Sequence, residues 1–174
     1  MTFTPDSELE LIFDAKLIPQ SVKEQLPEDL HIRPLASDDY TRGHLTVLSV
    51  LTKAPDVGLT SWQEQFRLLS SIPNTYYPLV IVSRSTDQIV AMGTLVMELK
   101  FLRGNAKAGH VEDIVVSSQA QGRGLGKKVI QALTGISESL GAYKVILDCS
   151  EENAPFYEKC GYKHAGVEMA KYAS

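Results

Sequence analysis

Only two cysteines, Cys149 and Cys160, occur in 174 residues. That is too few for a disulfide framework, and their spacing matches no zinc site. Both read as reduced, buried and inert thiols. An excess of positive charge is also missing. The formal net charge of -4 leaves no basic footprint, so nucleic acid is not an expected partner. No run is apolar enough to cross a bilayer, so no membrane association is expected. The first residues carry Asp6, Glu8, Glu10 and Asp14 where a secretory signal would carry basic residues. Repeats and low-complexity stretches are absent as well. What remains, 44% hydrophobic and 22% charged residues, is the composition of one ordinary globular domain, expected in the cytoplasm.

Residues 1–29 read as an N-terminal extension, with Pro19 and Pro27 after the apolar Leu9, Leu11, Ile12 and Phe13. Residues 30–174 read as the domain. A strand is expected at Leu30 to Leu35. Ser37 followed by Asp38 and Asp39 predicts a helix N-cap, with the helix running to about Leu51. Thr60 or Ser61 opens another helix, with Trp62, Phe66 and Leu69 at helical spacing. Apolar runs at Pro78 to Ser83 and Ile89 to Met97 flank a polar turn and predict a hairpin. A basic, glycine-containing loop spans Lys100 to Gly109. His110 to Val116 is a strand, Leu125 to Leu140 a helix stopped by Gly141, and Tyr143 to Cys149 a strand. The continuous Val145, Ile146 and Leu147 predict burial of that last strand on both faces. Asn153 to Cys160 is a short helix with Pro155 in its first turn, and Tyr162 to Tyr172 is expected to return as strand. The fold class is α/β, with strand–helix–strand from His110 to Cys149 forming a right-handed parallel crossover.

The strongest local signal is Gln121-Gly122-Arg123-Gly124-Leu125-Gly126-Lys127-Lys128, set between a strand and a helix. Glycines let backbone N–H groups turn inward, and the helix N-terminus adds positive potential, which together make a phosphate cradle. Arg123, Lys127 and Lys128 supply local positive charge. The spacing fits neither a P-loop nor the dinucleotide fingerprint. Upstream, Glu112 and Asp113 stand side by side inside an apolar strand. A regular strand would send them to opposite faces, whereas a bulge would bring both to one site. Asp148 ends a strand, where ligands of open sheets bind, or caps the helix that follows. Tyr157 is a proton donor at neutral pH or a packing residue. Lys100 and Arg103 are either cations for an anionic substrate or a solvated basic loop.

The loop Gln121 to Gly126 after the strand His110 to Val116 resembles the pyrophosphate loop of the GNAT N-acetyltransferase superfamily. The superfamily resemblance covers about residues 30–172, and within the last 65 or so residues it narrows to the eukaryotic glucosamine 6-phosphate N-acetyltransferases. It is carried by Gly109-His110-Val111-Glu112-Asp113-Ile114-Val115-Val116, Tyr143-Lys144-Val145-Ile146-Leu147-Asp148-Cys149, Asn153-Ala154-Pro155-Phe156-Tyr157-Glu158-Lys159-Cys160-Gly161-Tyr162 and Ala165-Gly166-Val167-Glu168-Met169.

This resemblance implies a mixed, twisted sheet whose two central parallel strands splay, flanked by helices. It implies acetyl-CoA as co-substrate, no metal, direct transfer without an acyl-enzyme, and a homodimer with sites at the subunit interface. Ile114, Val115 and Val116 would pair with the pantetheine arm like an added strand. Gln121, Gly122, Arg123, Gly124, Leu125 and Gly126 would hold the pyrophosphate, with Asn153, Tyr157, Glu158 and Lys159 also at the cofactor. Glu112, Asp113 and Ile114 would contact the amino sugar, together with Thr52, Lys100, Phe101, Leu102, Arg103, Tyr143, Lys144 and Asp148. Tyr157 would protonate the departing thiolate. Asp148 would orient the amine, and the base stays open between Glu112 and Asp148. Relatives carry an arginine near the C-terminus where this chain reads Ala170-Lys171-Tyr172, which makes Lys171 the candidate substitute as a point charge. The implied product is N-acetyl-D-glucosamine 6-phosphate, for UDP-N-acetylglucosamine synthesis. The rivals are an acetyltransferase for protein N-termini, lysines or polyamines, and a non-catalytic acyl-CoA-binding module.

Overall fold

The computed structural model describes residues 3–173. Five strands lie in one sheet in sequence order: β1 (Leu30–Pro34), β2 (Tyr76–Ser83), β3 (Ile89–Leu99), β4 (Lys107–Val116) and β5 (Ala142–Ile146). The helical elements are α1 (Gln20–Glu24), α2 (His44–Leu51), α3 (Gly58–Ser70), α4 (Leu102–Asn105), α5 (Leu125–Ser139) and α6 (Ala154–Lys159). Strands β1 to β4 form an antiparallel meander, and β5 pairs parallel to β4 after the crossover through α5. Arg103 and Gly104 both have left-handed φ, 53° and 70°, so α4 is a turn of the basic loop rather than a regular helix.

Each face of the sheet carries its own core. On one, Val129, Ile130, Leu133 and Ile136 of α5 pack with Leu79, Ile81 and Leu95. On the other, Val47, Trp62 and Phe66 of α2 and α3 pack with Val80, Val82 and Met92. The side chains of β2 alternate between these cores, as the period of two in a strand requires. Burying each large apolar side chain stabilises the fold by about 1.5–3 kcal/mol. Residues 3–29 lie against this frame. Ile18 and Val22 are buried in the α5 core, Leu11 bridges Ala36, and the Thr4 hydroxyl donates to Asp87 Oδ2 at 2.8 Å.

Four expectations need correction. Ser37 is not a helix cap: residues 38–43 are turns and α2 begins at His44. Asp39 is the reason. Its carboxylate accepts from Arg33 Nη1 and Nη2 at 2.7 and 2.6 Å and from the Ala36 N–H at 2.8 Å, which fixes the turn. Both partners are buried, so the pair could not be given up for helix geometry without stranding a charge. Second, β4 starts at Lys107, because Lys107–Val111 gain a ladder with β3 that shortens the basic loop. Third, β5 is not buried on both faces. It is the outer strand of the sheet, and Val145, Ile146 and Leu147 are half-buried. Among the described residues the parallel pair therefore sits at one side of the sheet rather than at its centre. Fourth, residues 163–173 form no strand and lie exposed, since an extended segment becomes strand only where a ladder partner receives it.

Candidate active site

The cleft begins where β4 and β5 part. Their pairing stops at His110 and Ile146, while β4 continues to Val116. The edge from Val111 onward faces no strand on that side, which leaves backbone N–H and C=O groups for an extended polar ligand. Within this stretch the register against β3 slips between Met92 and Thr94. Asp113 has φ of +55°, unusual for a residue other than glycine. This is a β-bulge, and it leaves Glu112 and Asp113 both exposed instead of splitting them between faces. Gly93 opposite the bulge makes it possible. A Cβ there would stand 2.4 Å from Ile114 Cδ1 and 2.7 Å from Val129 Cγ1.

The glycine loop closes one end of the cleft. Gly122 and Gly124 have φ of +80° and +73°, and a Cβ at either would meet nothing within 4 Å. Glycine is needed here for conformation and for the open space in front of the backbone. Gly124 caps α5 without a side-chain hydrogen bond, so the first-turn N–H groups are free to receive an anion. The cleft encloses about 580 Å³ and is lined by Ile114, Val115, Val116, the loop, and Asn153, Phe156 and Tyr157 of the α6 region. An acyl-CoA arm fits these features: a free strand edge for its amides and a donor-rich turn for its phosphates.

Burial shifts two side chains near the cleft. Tyr157 is half-buried, and burial, followed by neighbouring Cys149, pushes its hydroxyl above the ordinary tyrosine value. It therefore holds its proton firmly until a strong base appears. Partial desolvation raises the Glu112 carboxyl, and the nearby charges of Asp113 and Asp148 add to it. A raised carboxylate is the better proton acceptor; Glu112, Asp113 and Asp148 are all exposed and stand outside the cleft lining.

Other residues from the sequence reading fall elsewhere. Arg123 lies in the loop, but its side chain is absent from the cleft lining and pairs with Asp29. Glu158 and Lys159 are exposed on α6, outside that lining. Lys100 Nζ is held by Glu98 Oε1 at 2.5 Å, and the same carboxylate meets His110 Nε2 at 2.9 Å. Arg103 stacks on the Tyr143 ring at 5.0 Å, with Lys144 at 5.7 Å from the same ring. That cluster stands at the opposite end of β5 from Asp148. Phe101 and Leu102 are exposed beside Lys100, and Thr52 ends α2. Lys171 is exposed in the tail. Cys149, read as a buried thiol, is exposed, because β5 ends before it and leaves it in a loop. Val50 and Leu51 line the cleft unforeseen. Their signal was apolar residues at the end of α2 with no core to enter.

The model of the Acetyltransferase (GNAT) family matches residues 38–162. The chain belongs to the GNAT acetyltransferase family. It is 42% identical over 144 residues to the glucosamine 6-phosphate N-acetyltransferase of Candida albicans, covering 83% of this chain and 96% of that one. It is 40% identical over 147 residues to the Arabidopsis thaliana protein of the same name, covering 84% and 99%. Within the GNAT family it thus groups with the glucosamine 6-phosphate N-acetyltransferases. A crystal structure of the Arabidopsis enzyme superposes with a TM-score of 0.82 at 40% identity, covering 84% of this chain and all of that one. A Trypanosoma brucei acetyltransferase superposes at 0.78 with 36% identity, covering 83% and 100%. As a GNAT member the chain is an acetyltransferase, the family that uses acetyl-CoA as donor, and the splayed strands, bulge and glycine loop are the parts of this chain that fit one.

Proposed function

We propose that this enzyme acetylates the amine of D-glucosamine 6-phosphate. The observation that carries the reading is a single cleft that sets Tyr157 beside the free edge of Ile114 to Val116 and a donor-rich glycine loop, with Glu112 and Asp113 on the bulge just before that edge. Acetyl-CoA supplies the thioester carbonyl, held along the free edge of Ile114 to Val116. Asp148 orients the amine, and Glu112 takes its proton directly or through one water, so the nitrogen lone pair is free to form the C–N bond. As the C–S bond breaks, the Tyr157 hydroxyl gives its proton to sulfur, and the surplus proton on the new amide nitrogen returns to the phenolate through water. These proton transfers need no metal and no acyl-enzyme.

The phosphate explains the basic residues away from the cleft. Arg103, Tyr143 and Lys144 sit at the start of β5 and Asp148 two residues past its end. At about 3.3 Å per residue, the backbones of Lys144 and Asp148 stand roughly 13 Å apart. A two-fold dimer would bring the basic cluster of one subunit to the carboxylates of the other. Exposed apolar residues support this reading: Phe101 is 97% and Met169 90% accessible, and Leu102, Val167 and Tyr172 are likewise open. Lys171 would join the phosphate from the tail. The product, N-acetyl-D-glucosamine 6-phosphate, would feed UDP-N-acetylglucosamine synthesis in the cytoplasm.

The test is to incubate the purified protein with acetyl-CoA and a panel of amines while following free thiol. Turnover should be far higher with glucosamine 6-phosphate than with glucosamine, polyamines or peptides. Equal use of the two sugars would refute the phosphate assignment while leaving acetyl transfer intact.

A further inference from the structure

The glycine loop has one anchoring side chain, and it is tied to the N-terminal segment. Arg123 lies between Gly122 and Gly124, both with left-handed φ, so its neighbours carry no side chain to fix the turn. Its Nη2 donates to both carboxylate oxygens of Asp29, at 2.8 and 2.9 Å, across 94 positions of sequence. Asp29 is itself a fixed point. Its carbonyl accepts from the Arg84 N–H at 2.8 Å, and Arg84 Nε donates to the next carbonyl, Leu30 O, at 3.2 Å, where β1 begins. One turn further along α5, Lys128 Nζ donates to Gln25 Oε1 at 2.6 Å. Below these contacts α1 is seated tightly, since a Cβ on Gly135 of α5 would stand 2.5 Å from Pro19 Cγ. The GNAT family model starts only at residue 38.

We propose that Asp29 is a positioning residue for the cofactor loop: by tethering Arg123 to the start of β1, it preorganises the backbone N–H groups of residues 122–126 for the pyrophosphate. A loop rich in glycine loses much conformational freedom when it closes on a ligand. A tether that removes part of that freedom beforehand lowers the cost of binding. The carboxyl of Asp29 is held below its ordinary value, mainly by the hydrogen bond from Arg123, so the tether is charged at neutral pH. The opposite role, in which Asp29 withholds a cation from the phosphates, would make its removal favourable. The two roles predict changes of opposite sign.

The inference rests on the loop being the acyl-CoA site, so the test begins with calorimetry of CoA binding to the wild-type protein, without any amine. Binding by wild type secures that premise, and no binding would overturn both the premise and the proposal. Asp29→Asn should weaken CoA about two- to five-fold, the scale of a partly exposed ion pair. It should raise KM for acetyl-CoA by the same factor while kcat and the KM of the amine stay fixed. Asp29→Glu should restore most of the loss. In an Arg123→Gln background Asp29→Asn should have no further effect, because the carboxylate acts only through the guanidinium. Unchanged or tighter CoA binding by a folded Asp29→Asn protein would overturn the proposal. So would a loss of melting temperature with no change in affinity, which would make the contact merely structural.

Discussion

The two ends of β5 differ in how complete they are. At its C-terminal end the half proposed for the acetyl donor is assembled from one chain. The free edge of β4, the glycine loop and α6 stand around a single cleft. At its N-terminal end Arg103, Lys144 and Tyr143 form a cationic cluster beside apolar residues left open to water. Most of the donor half comes from two short stretches, residues 111–126 and 153–157, with Val50 and Leu51 added from the end of α2. The cluster proposed for the acceptor has its charges but no surface to enclose them among the described residues. On the proposed reading, the site is finished for one substrate and unfinished for the other.

Removing the thiolate's proton donor should damage the finished half most. Tyr157→Phe should lower kcat by about 10²–10⁴-fold with acetyl-CoA affinity nearly intact, as measured by steady-state kinetics beside calorimetry. Wild-type turnover across the pH range would mean that solvent protonates the sulfur. The unfinished half should respond to charge. Arg103→Ala should raise KM for glucosamine 6-phosphate by about ten- to a hundred-fold and leave unphosphorylated glucosamine unchanged, since a charge-assisted contact is worth about 1.5–3 kcal/mol. If the halves meet across a dimer, refolding Tyr157→Phe and Arg103→Ala chains together should restore about a quarter of the sites, because half of the dimers are mixed and each has one intact site. Activity no greater than the sum of the two variants would place both halves of the site in one chain.

A subtler difference concerns pH. The raised carboxyl of Glu112 must be ionised to accept a proton, so kcat/KM should fall on the acid side. The fall should begin at a higher pH than for a carboxyl of ordinary value. Glu112→Gln should abolish that limb, and an unchanged acid limb in this variant would assign the base to Asp148.

The donor half was legible in sequence because its signals are local. Glycines at positions needing positive φ, a helix period from Leu125 and two acids inside an apolar strand each announce a shape locally, although the bulge also needs Gly93 across the sheet. The failures came where distant groups decide. Asp39 has the composition of a helix start, yet Arg33 holds it in a turn. Val145 to Leu147 are apolar enough for a central strand, but only the neighbours of β5 set its exposure. The tie between Asp29 and Arg123 spans most of the chain and has no periodic signature. Residues 163–173 alternate like a strand and still find no ladder among the described residues.

The unpaired margin of β4 has a cost outside catalysis. Strand edges with free amides recruit other strands, and proteins normally cover them with charges, prolines or bulges. Here the stretch from Val111 to Val116 carries both a bulge and the acids Glu112 and Asp113, so the features that prepare the chemistry also discourage a foreign strand from docking. Colloidal stability and substrate recognition are thereby written into the same few residues. Neutralising the acids would remove a guard against self-association along with the proposed proton acceptor.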